Sequence, residues 1–373
     1  MKKQLLYLSF LFFLAAAAQA QTAKEFIYVG TNTVRGSEGI YVFEFDRKAG
    51  ALKQVQTIGS VTSPNFLDIH PGKKYLYAAG VMDNLGSAGA FSINAVTGML
   101  TYINQKSSEG AGACHISIDQ TGKLAFVSNY NGGSLAVLPI GSDGSLQTAT
   151  DVIRHEGSSI NKERQQKSYV HSAFLSPDNR FIIVSDLGTD KIYSYEINYA
   201  SGKIKPGVKP NISVTPGAGP RHLVFAPDGK HIYSAEELYS AVGVFRYDKT
   251  TGAIQSVKDT ARSLPTSFKE FNKCADIHTD PKGKFLYMSN RGMDAITIFS
   301  IKKDGNIQLI GQQEVMGKTP RNFFVDPKGE YVFVANQDSD NIVVFKLDQK
   351  TGLMTYTGNQ VKVPSPVCIK MLN

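Results

Sequence analysis

Residues 319–353 read TPRNFFVDPKGEYVFVANQDSDNIVVFKLDQKTGL. An extended segment, Arg321–Val325, runs into the turn Asp326-Pro327-Lys328-Gly329. Proline presets φ there and glycine accepts a positive φ, so the four residues read as hairpin punctuation. A β-rich run, Tyr331–Ala335, follows, then a polar turn over Asn336–Asn341 and a second run, Ile342–Leu347. The alternating Val, Phe and Tyr suit strands rather than helices. The same turn and strand recur as HPGKKYLY from His70, DQTGKLAF from Asp119, SPDNRFII from Ser176, APDGKHIY from Ala226, DPKGKFLY from Asp280 and DPKGEYVF from Asp326. Successive copies lie 46 to 57 residues apart. A strand-only repeat of that period marks the blades of a β-propeller.

The remaining strands say how the ring closes. FIYVGTN (26–32), GIYVFEFD (39–46) and LKQVQTI (52–58) are three strands lacking an opening one, and SPVCIKML (365–372) at the other end resembles the blade-opening TPRNFFVD. One sheet shared by both termini leaves no free edge in the ring. The expectation is an all-β, seven-bladed β-propeller with four antiparallel strands per blade, one blade closed by N-terminal and C-terminal strands together. The expected blades span 63–112, 113–168, 169–218, 219–272, 273–318, 319–363, and 26–62 with 364–372.

The first twenty residues are expected to stand outside this domain. Lys2 and Lys3 precede the apolar Leu5–Ala18, and Ala18-Gln19-Ala20 is a small-residue cleavage site, the pattern of a secretory signal peptide. The organisation expected is therefore residues 1–20 as leader and 21–373 as one propeller, exported to the periplasm or medium. Without Lys2 and Lys3 the chain has 38 basic and 32 acidic residues, an excess of +6 spread along its length. That excess makes no nucleic-acid footprint. Cys114, Cys274 and Cys368 form no CxxC and are more than 90 residues apart, so no zinc or redox pair is signalled. There is likewise no G-x-S-x-G, HExxH or P-loop.

Topology selects a site. In an antiparallel four-stranded meander, the start of the innermost strand and the end of the second strand lie on one face beside the channel. The first of these columns holds Asn65, Cys114, His171, Arg221, Ala275 and Arg321; the second holds Tyr130, Leu187, Glu237, Arg291 and Gln337. One residue earlier come Asn129, Asp186, Glu236, Asn290 and Asn336, of which the Asn and Asp read as turn caps. His171, Arg221, Glu237 and Arg291 break the repeat with ionisable groups on three consecutive blades. A carboxylate, an imidazole and two guanidiniums suit water attack on an ester carbonyl, or else a structural ion pair. The long links 153–168 and 258–273 lie on the same face, where function tends to be built.

These stretches, chiefly VHSAFLSPDNRFIIVSDLGTDKI (170–192), GPRHLVFAPDGKHIY (219–233), EELYSAVGVF (236–245), FLYMSNRGMDAITIF (285–299) and HEGSSINKERQQKSYVHS (155–172), resemble the seven-bladed propeller lactonases of the 6-phosphogluconolactonase type. The resemblance covers essentially the whole chain after the leader. It implies lactone hydrolysis, with His171, Arg221, Glu237 and Arg291 matching the family's active-site positions and either Glu237 or His171 as the base. Three departures stand beside it. Tyr169 occupies the first place of a His-x-His pair, Glu236 stands where Asn usually precedes the glutamate, and Met293 ends the family's NRGH.

Arg164, Tyr169, Glu236, Arg321 and Gln337 are the expected substrate-binding residues, with Lys162 and Lys167 near a distal phosphate or hydroxyls. The expected ligand is a small-molecule sugar lactone, met by a monomer without cofactor, metal, nucleic acid or, once the leader is removed, membrane. A non-catalytic exported binding propeller and a muconate-type cycloisomerase are the alternatives.

Overall fold

Seven four-stranded antiparallel sheets stand around a central channel in a computed structural model that describes residues 24–372, the side chains of residues 258 and 259 excepted. The expected leader, residues 1–20, lies outside the described residues. Blade 1 comprises Thr62–Ile69, Tyr75–Met82, Leu85–Ile93 and Leu100–Ser107. Blades 2 to 6 repeat that meander over residues 113–154, 170–213, 220–262, 273–314 and 320–362. Blade 7 takes Glu25–Thr31, Ile40–Asp46 and Ala51–Ile58 from one terminus and its innermost strand, Pro366–Leu372, from the other. Phe26 pairs with Leu372 and Val29 with Ile369 across this closure.

The blades hold together by burial between their faces. Tyr233, Phe299, Leu286 and Val242 pack blade 4 on blade 5, and Phe333, Phe43 and Ile369 pack blade 6 on blade 7. The outermost strands face water and are mostly polar, Lys203–Ser213 being an example. At the turn of the opening motif, Gly329 takes a φ of +67°, and Asp326 Oδ1 accepts from the amides of Glu330 and Tyr331 at 2.6 and 3.0 Å. Asp119 and Asp280 cap their turns in the same way. A second repeated device ties four of the blades to the next. Tyr28, Tyr77, Tyr233 and Tyr287 donate their hydroxyls to the carbonyls of Gly98, Gly144, Gly305 and Gly352, each in the outer hairpin of the following blade, at 2.9 to 3.0 Å.

At the opposite face every innermost strand carries a register shift. In blades 2, 3 and 6 one residue, Cys114, His171 or Arg321, is extra between paired neighbours, and in blades 4 and 5 the shift spans Pro220/Leu223 and Cys274/Ile277. Such a bulge bends the strand and re-aims a side chain. The column picked out by spacing is thus the bulge itself.

Candidate active site

Bulge residues of four blades and the ends of second strands line a cavity of about 380 Å³ at that mouth, with Arg221, 2% exposed, backing its wall against Glu237. Asn65, Cys114, His171 and Arg321 enter from innermost strands, Lys273 from the first position of another, Tyr130, Glu237 and Arg291 from the ends of second strands, and Arg164 from the long link 153–168.

Among the described residues Glu237 is the one carboxylate lining the cavity, 3% exposed, and three guanidiniums converge on it. Arg164 Nη2 reaches Oε1 at 2.8 Å, while Arg221 Nε and Arg291 Nη2 reach Oε2 at 3.1 and 3.0 Å. Burial alone would raise its pKa; Arg291, Arg221 and Arg164 outweigh burial and hold it well below the ordinary carboxylate range. Glu237 is therefore a fixed anion at neutral pH and a weak base. The two blade arginines are also aimed by backbone, Arg221 Nη1 donating to the Ala275 carbonyl at 2.6 Å and Arg291 Nη2 to that of Cys274 at 2.7 Å.

His171 lies beside this cluster, its ring edge-on to Tyr130 at 5.3 Å. Burial, then the charges of Arg221, His222, Arg321 and Arg291, push its pKa well down, so the imidazole is neutral at physiological pH. A neutral imidazole next to fixed cations can accept a proton, and the cations can receive oxyanion charge. Arg321 and Lys273 complete the ring of charge. Among the described residues neither side chain has a hydrogen-bond or ion-pair partner, although Lys273 Nζ lies 4.9 Å from the Phe271 ring. Burial, then the neighbouring Arg291, lowers the Arg321 pKa, and burial, then Arg164, lowers that of Lys273.

The link 153–168 is what brings Arg164 in. Asn161 Oδ1 accepts from the amides of Glu163 and Arg164, both at 3.1 Å, and Gln165 Nε2 donates to Leu187 O and to Asp190 Oδ1 at 2.8 and 2.7 Å. Lys167 is spent on the Asn131 carbonyl at 2.6 Å, and Lys162 is exposed. Tyr169 stacks on Tyr130 with ring centroids 4.7 Å apart and so backs the cavity wall rather than lining it.

Glu236 and Gln337 lie elsewhere. Along a strand successive side chains alternate faces, so Glu236 turns away from Glu237 into the space between blades 3 and 4. It is 1% exposed there, with no hydrogen-bond partner on either oxygen. Burial, then Asp190, raises its pKa to about 8. Gln337 sits on the blade 6 turn, donating to Asp338 at 3.3 Å and away from the cavity. The other members of the Glu236 column tie down links between blades: Asn129 binds Ser108, Asn290 binds Ser263 and Asn272, and Asp186 binds Ser168 and the Tyr169 amide.

Tyr130 and Cys114 line the cavity from the same two columns, but as neutral side chains they do not stand out in the sequence. Lys273 opens a strand two residues before Ala275 of the expected column and carries no signal of its own in the sequence. A larger cleft of about 730 Å³ lies on the opposite face around His70, Lys123 and Tyr199, with no carboxylate in its lining. Among the described residues no three His, Cys, Asp or Glu side chains are grouped as a metal site.

Fold and site define a toroidal propeller with a cation-rich mouth, and the lactonase family, 7-bladed beta-propeller, matches residues 26–371; the chain belongs to this family. A 6-phosphogluconolactonase of Bacillus subtilis is 33% identical over 350 residues, 93% of this chain and 98% of that protein. Another 6-phosphogluconolactonase, from Formosa agariphila, is 35% identical over 306 residues, covering 80% of this chain and 86% of its own. The crystal structure of a periplasmic gluconolactonase from Pseudomonas aeruginosa superposes with a TM-score of 0.88 at 30% identity, over 94% of this chain and 99% of that one.

Proposed function

We propose that the cavity hydrolyses a sugar lactone to the open-chain aldonic acid. The observation that carries this reading is the pairing of a neutral His171 with guanidiniums fixed around Glu237. In the proposed reaction, water gives a proton to His171 Nε2 as its oxygen bonds to the lactone carbonyl carbon. The carbonyl oxygen gains the electron pair and is received by Arg291, with the charge of Arg221 behind it across Glu237 Oε2. Collapse breaks the ring carbon–oxygen bond, the proton passes from His171 to the ring oxygen, and a hydroxy acid leaves. Glu237 holds the three guanidiniums in place rather than taking the proton, because they keep it ionised far below neutrality.

Arg321 and Lys273 are left over after Glu237 is neutralised, and they favour a lactone with a second anionic group, such as a 6-phosphate. The names of the Bacillus and Formosa relatives agree with that preference. Export to the periplasm is part of the same proposal, on the signal-peptide pattern of residues 1–20 and the periplasmic Pseudomonas neighbour.

Acid release, followed by pH-stat with gluconolactone and with its 6-phosphate, tests the reading. The wild-type chain is expected to hydrolyse both, the phosphorylated lactone with the lower KM. His171→Asn is expected to lower kcat by about 10²-fold or more, the usual worth of a general base. Arg321→Gln is expected to raise KM about tenfold for the phosphorylated lactone alone, one charge-assisted contact being worth on the order of 1.5 kcal/mol. No acid release above background from either lactone rejects the function.

A further inference from the structure

Asp190 ends the turn between the second and third strands of blade 3, the place held by Asp294 in blade 5 and Asp340 in blade 6. All three take a positive φ, of +52°, +50° and +54°. In each, Oδ1 accepts the amide of the residue just before the next innermost strand: Gly219 at 2.7 Å, Thr319 and Ser365 at 2.8 Å. That bond belongs to the repeat. Asp190 alone of the three holds a link as well. Its Oδ1 also accepts Gln165 Nε2 at 2.7 Å, and its Oδ2 accepts the Gly217 amide at 2.6 Å and the Ser159 hydroxyl. Two neutral donors thus meet each oxygen of a side chain only 4% exposed, which fills the acceptor sites of a carboxylate.

Ser159 and Gln165 bracket a loop within the link 153–168 that closes on itself. The Ser159 amide donates to the Gln165 carbonyl at 2.9 Å, the Gln165 amide to the Asn161 carbonyl at 2.8 Å, and Gln165 Oε1 accepts the Asn161 amide at 3.2 Å. Arg164 lies inside this loop, next to the fully buried Gln165, and its guanidinium reaches Glu237. The other arm of Asp190 leads to Glu237 itself. Gly219 gives its carbonyl to the Glu237 amide at 2.8 Å, and Arg221 follows two residues on. We propose, on the reading of the cavity as a lactonase site, that Asp190 and Gln165 are positioning residues: one carboxylate sets Arg164 and Glu237 against each other from both sides.

An arginine carried on a link needs such an anchor. A long side chain on a free loop loses rotamer freedom whenever it forms its ion pair. Electrostatic catalysis draws instead on groups already aimed where charge develops, so that nothing is reorganised during the reaction. Arg164 Nη2 meets Glu237 Oε1 at 2.8 Å and the Tyr130 hydroxyl at 3.3 Å, but both partners are side chains of the cavity and turn with it. Gln165 supplies a hold from outside the cavity, with the Leu187 carbonyl at 2.8 Å as its second acceptor. The repeat does not ask for this. Beyond the shared bond, Asp294 Oδ1 takes the Gly292 amide of its own turn at 3.4 Å, and Asp340 Oδ1 takes Arg35 Nε at 2.9 Å.

Initial rates of lactone hydrolysis, measured beside urea unfolding, test the assignment. Gln165→Met keeps most of the side chain's bulk but cannot donate to Asp190. It is expected to lower kcat/KM about tenfold, the worth of one charge-assisted contact at Arg164, while the ring stays folded. In an Arg164→Gln background the same change is expected to cost less than about twofold, because residues that act through one another are not additive. Wild-type kcat/KM in Gln165→Met overturns the inference. An equal loss in the two backgrounds does so too, since Gln165 would then act otherwise than through Arg164.

Asp190→Asn and Asp340→Asn separate positioning from the structural bond of the repeat. Each puts an amide nitrogen, which cannot accept, where a carboxylate oxygen stood, so both are expected to unfold at lower urea. Asp190→Asn is expected to lose more kcat/KM than Gln165→Met, because both of its arms loosen. Asp340→Asn, whose partners Arg35 and Ser365 lie outside the cavity, is expected to stay within about twofold of the wild type. Equal kcat/KM in these two variants overturns the role of Asp190. If Asp190→Asn does not fold, Ser159→Ala removes one link donor and leaves the repeat bond; wild-type kcat/KM there overturns the same role. No acid release by the wild-type chain would instead remove the reaction itself, so the two failures are distinguishable.

Discussion

Blades 4 and 6 are built from the same strands and turns, yet only one of them presents a carboxylate to the channel mouth. At the end of the second strand blade 6 has Asn336 and Gln337, and blade 4 has Glu236 and Glu237. Asn336 donates to the Val315 carbonyl at 3.0 Å and secures the link between blades, and Gln337 rests on the surface turn. In blade 4 the first position is a buried acid without a partner and the second gathers three arginines from a link and two blades. The scaffold tolerates the exchange because turns, inter-blade faces and the strand bulge are specified elsewhere in the repeat. Chemistry is therefore added at two adjacent positions without redesign of the blade.

The comparison breaks most completely at Glu237. Glu237→Gln gives blade 4 the residue that blade 6 carries, and it leaves three guanidiniums around a neutral amide. Removing one partner of a buried ion pair is destabilising by on the order of 3 kcal/mol. The same change is expected to lower kcat/KM for lactone hydrolysis on the order of 10³-fold, since the arginines lose the aim that lets them receive an oxyanion. Urea unfolding and initial rates measure the two effects. Undiminished turnover in a folded variant would mean that the cluster is a structural knot only.

Glu236 makes the next comparison, and its effect depends on pH. Its folded pKa stands near 8 against an ordinary 4.5. The folded state therefore keeps a proton that the unfolded chain releases between those values. The contribution of Glu236 to stability is greatest below pH 4.5 and falls as pH rises, by at most about 1.4 kcal/mol per pH unit, until the loss is complete near 8. Glu236→Gln is neutral in both states and removes this slope. Thermal midpoints of the two proteins are expected to diverge from pH 5 to 8, the variant being the more stable at the alkaline end. Parallel curves would exclude a buried protonated carboxyl. Turnover of Glu236→Gln is expected to match the wild type, because this side chain lies outside the cavity.

What could be read in the sequence follows the same division between scaffold and addition. The blade order, the shared closing sheet and the mouth columns were legible because each is written several times, so a chance match in one copy is corrected by the others. The column holding His171, Arg221 and Arg321 was legible as a column. That it consists of bulged residues was not, since an extra residue in one strand shows only when its partner is aligned. Arg164 was visible as a basic residue in a long link. Its contact with Glu237 was not visible, as the two are 73 residues apart and no repeat relates them. Glu236 was misplaced by adjacency. Its neighbour faces the mouth, and strand alternation sends it the other way.

The smallest effect is expected where blades 5 and 6 differ by a single oxygen. Tyr287 donates to the Gly352 carbonyl of the next blade at 3.0 Å, while blade 6 has Phe333 at the same place in its repeat. Blade 6 meets its neighbour instead through Tyr331, whose hydroxyl donates to the Arg47 carbonyl at 2.6 Å. Tyr287→Phe should cost about 1 kcal/mol, the net worth of one buried hydrogen bond, with the Gly352 carbonyl left unpaired. Tyr331→Phe should cost no more, its hydroxyl being only partly buried. If the losses of the double variant add, each junction contributes independently to the closed ring, since sites well separated in a fold are additive. A larger combined loss would mean that opening one junction loosens the next, and that the ring rather than the blade is the unit that unfolds.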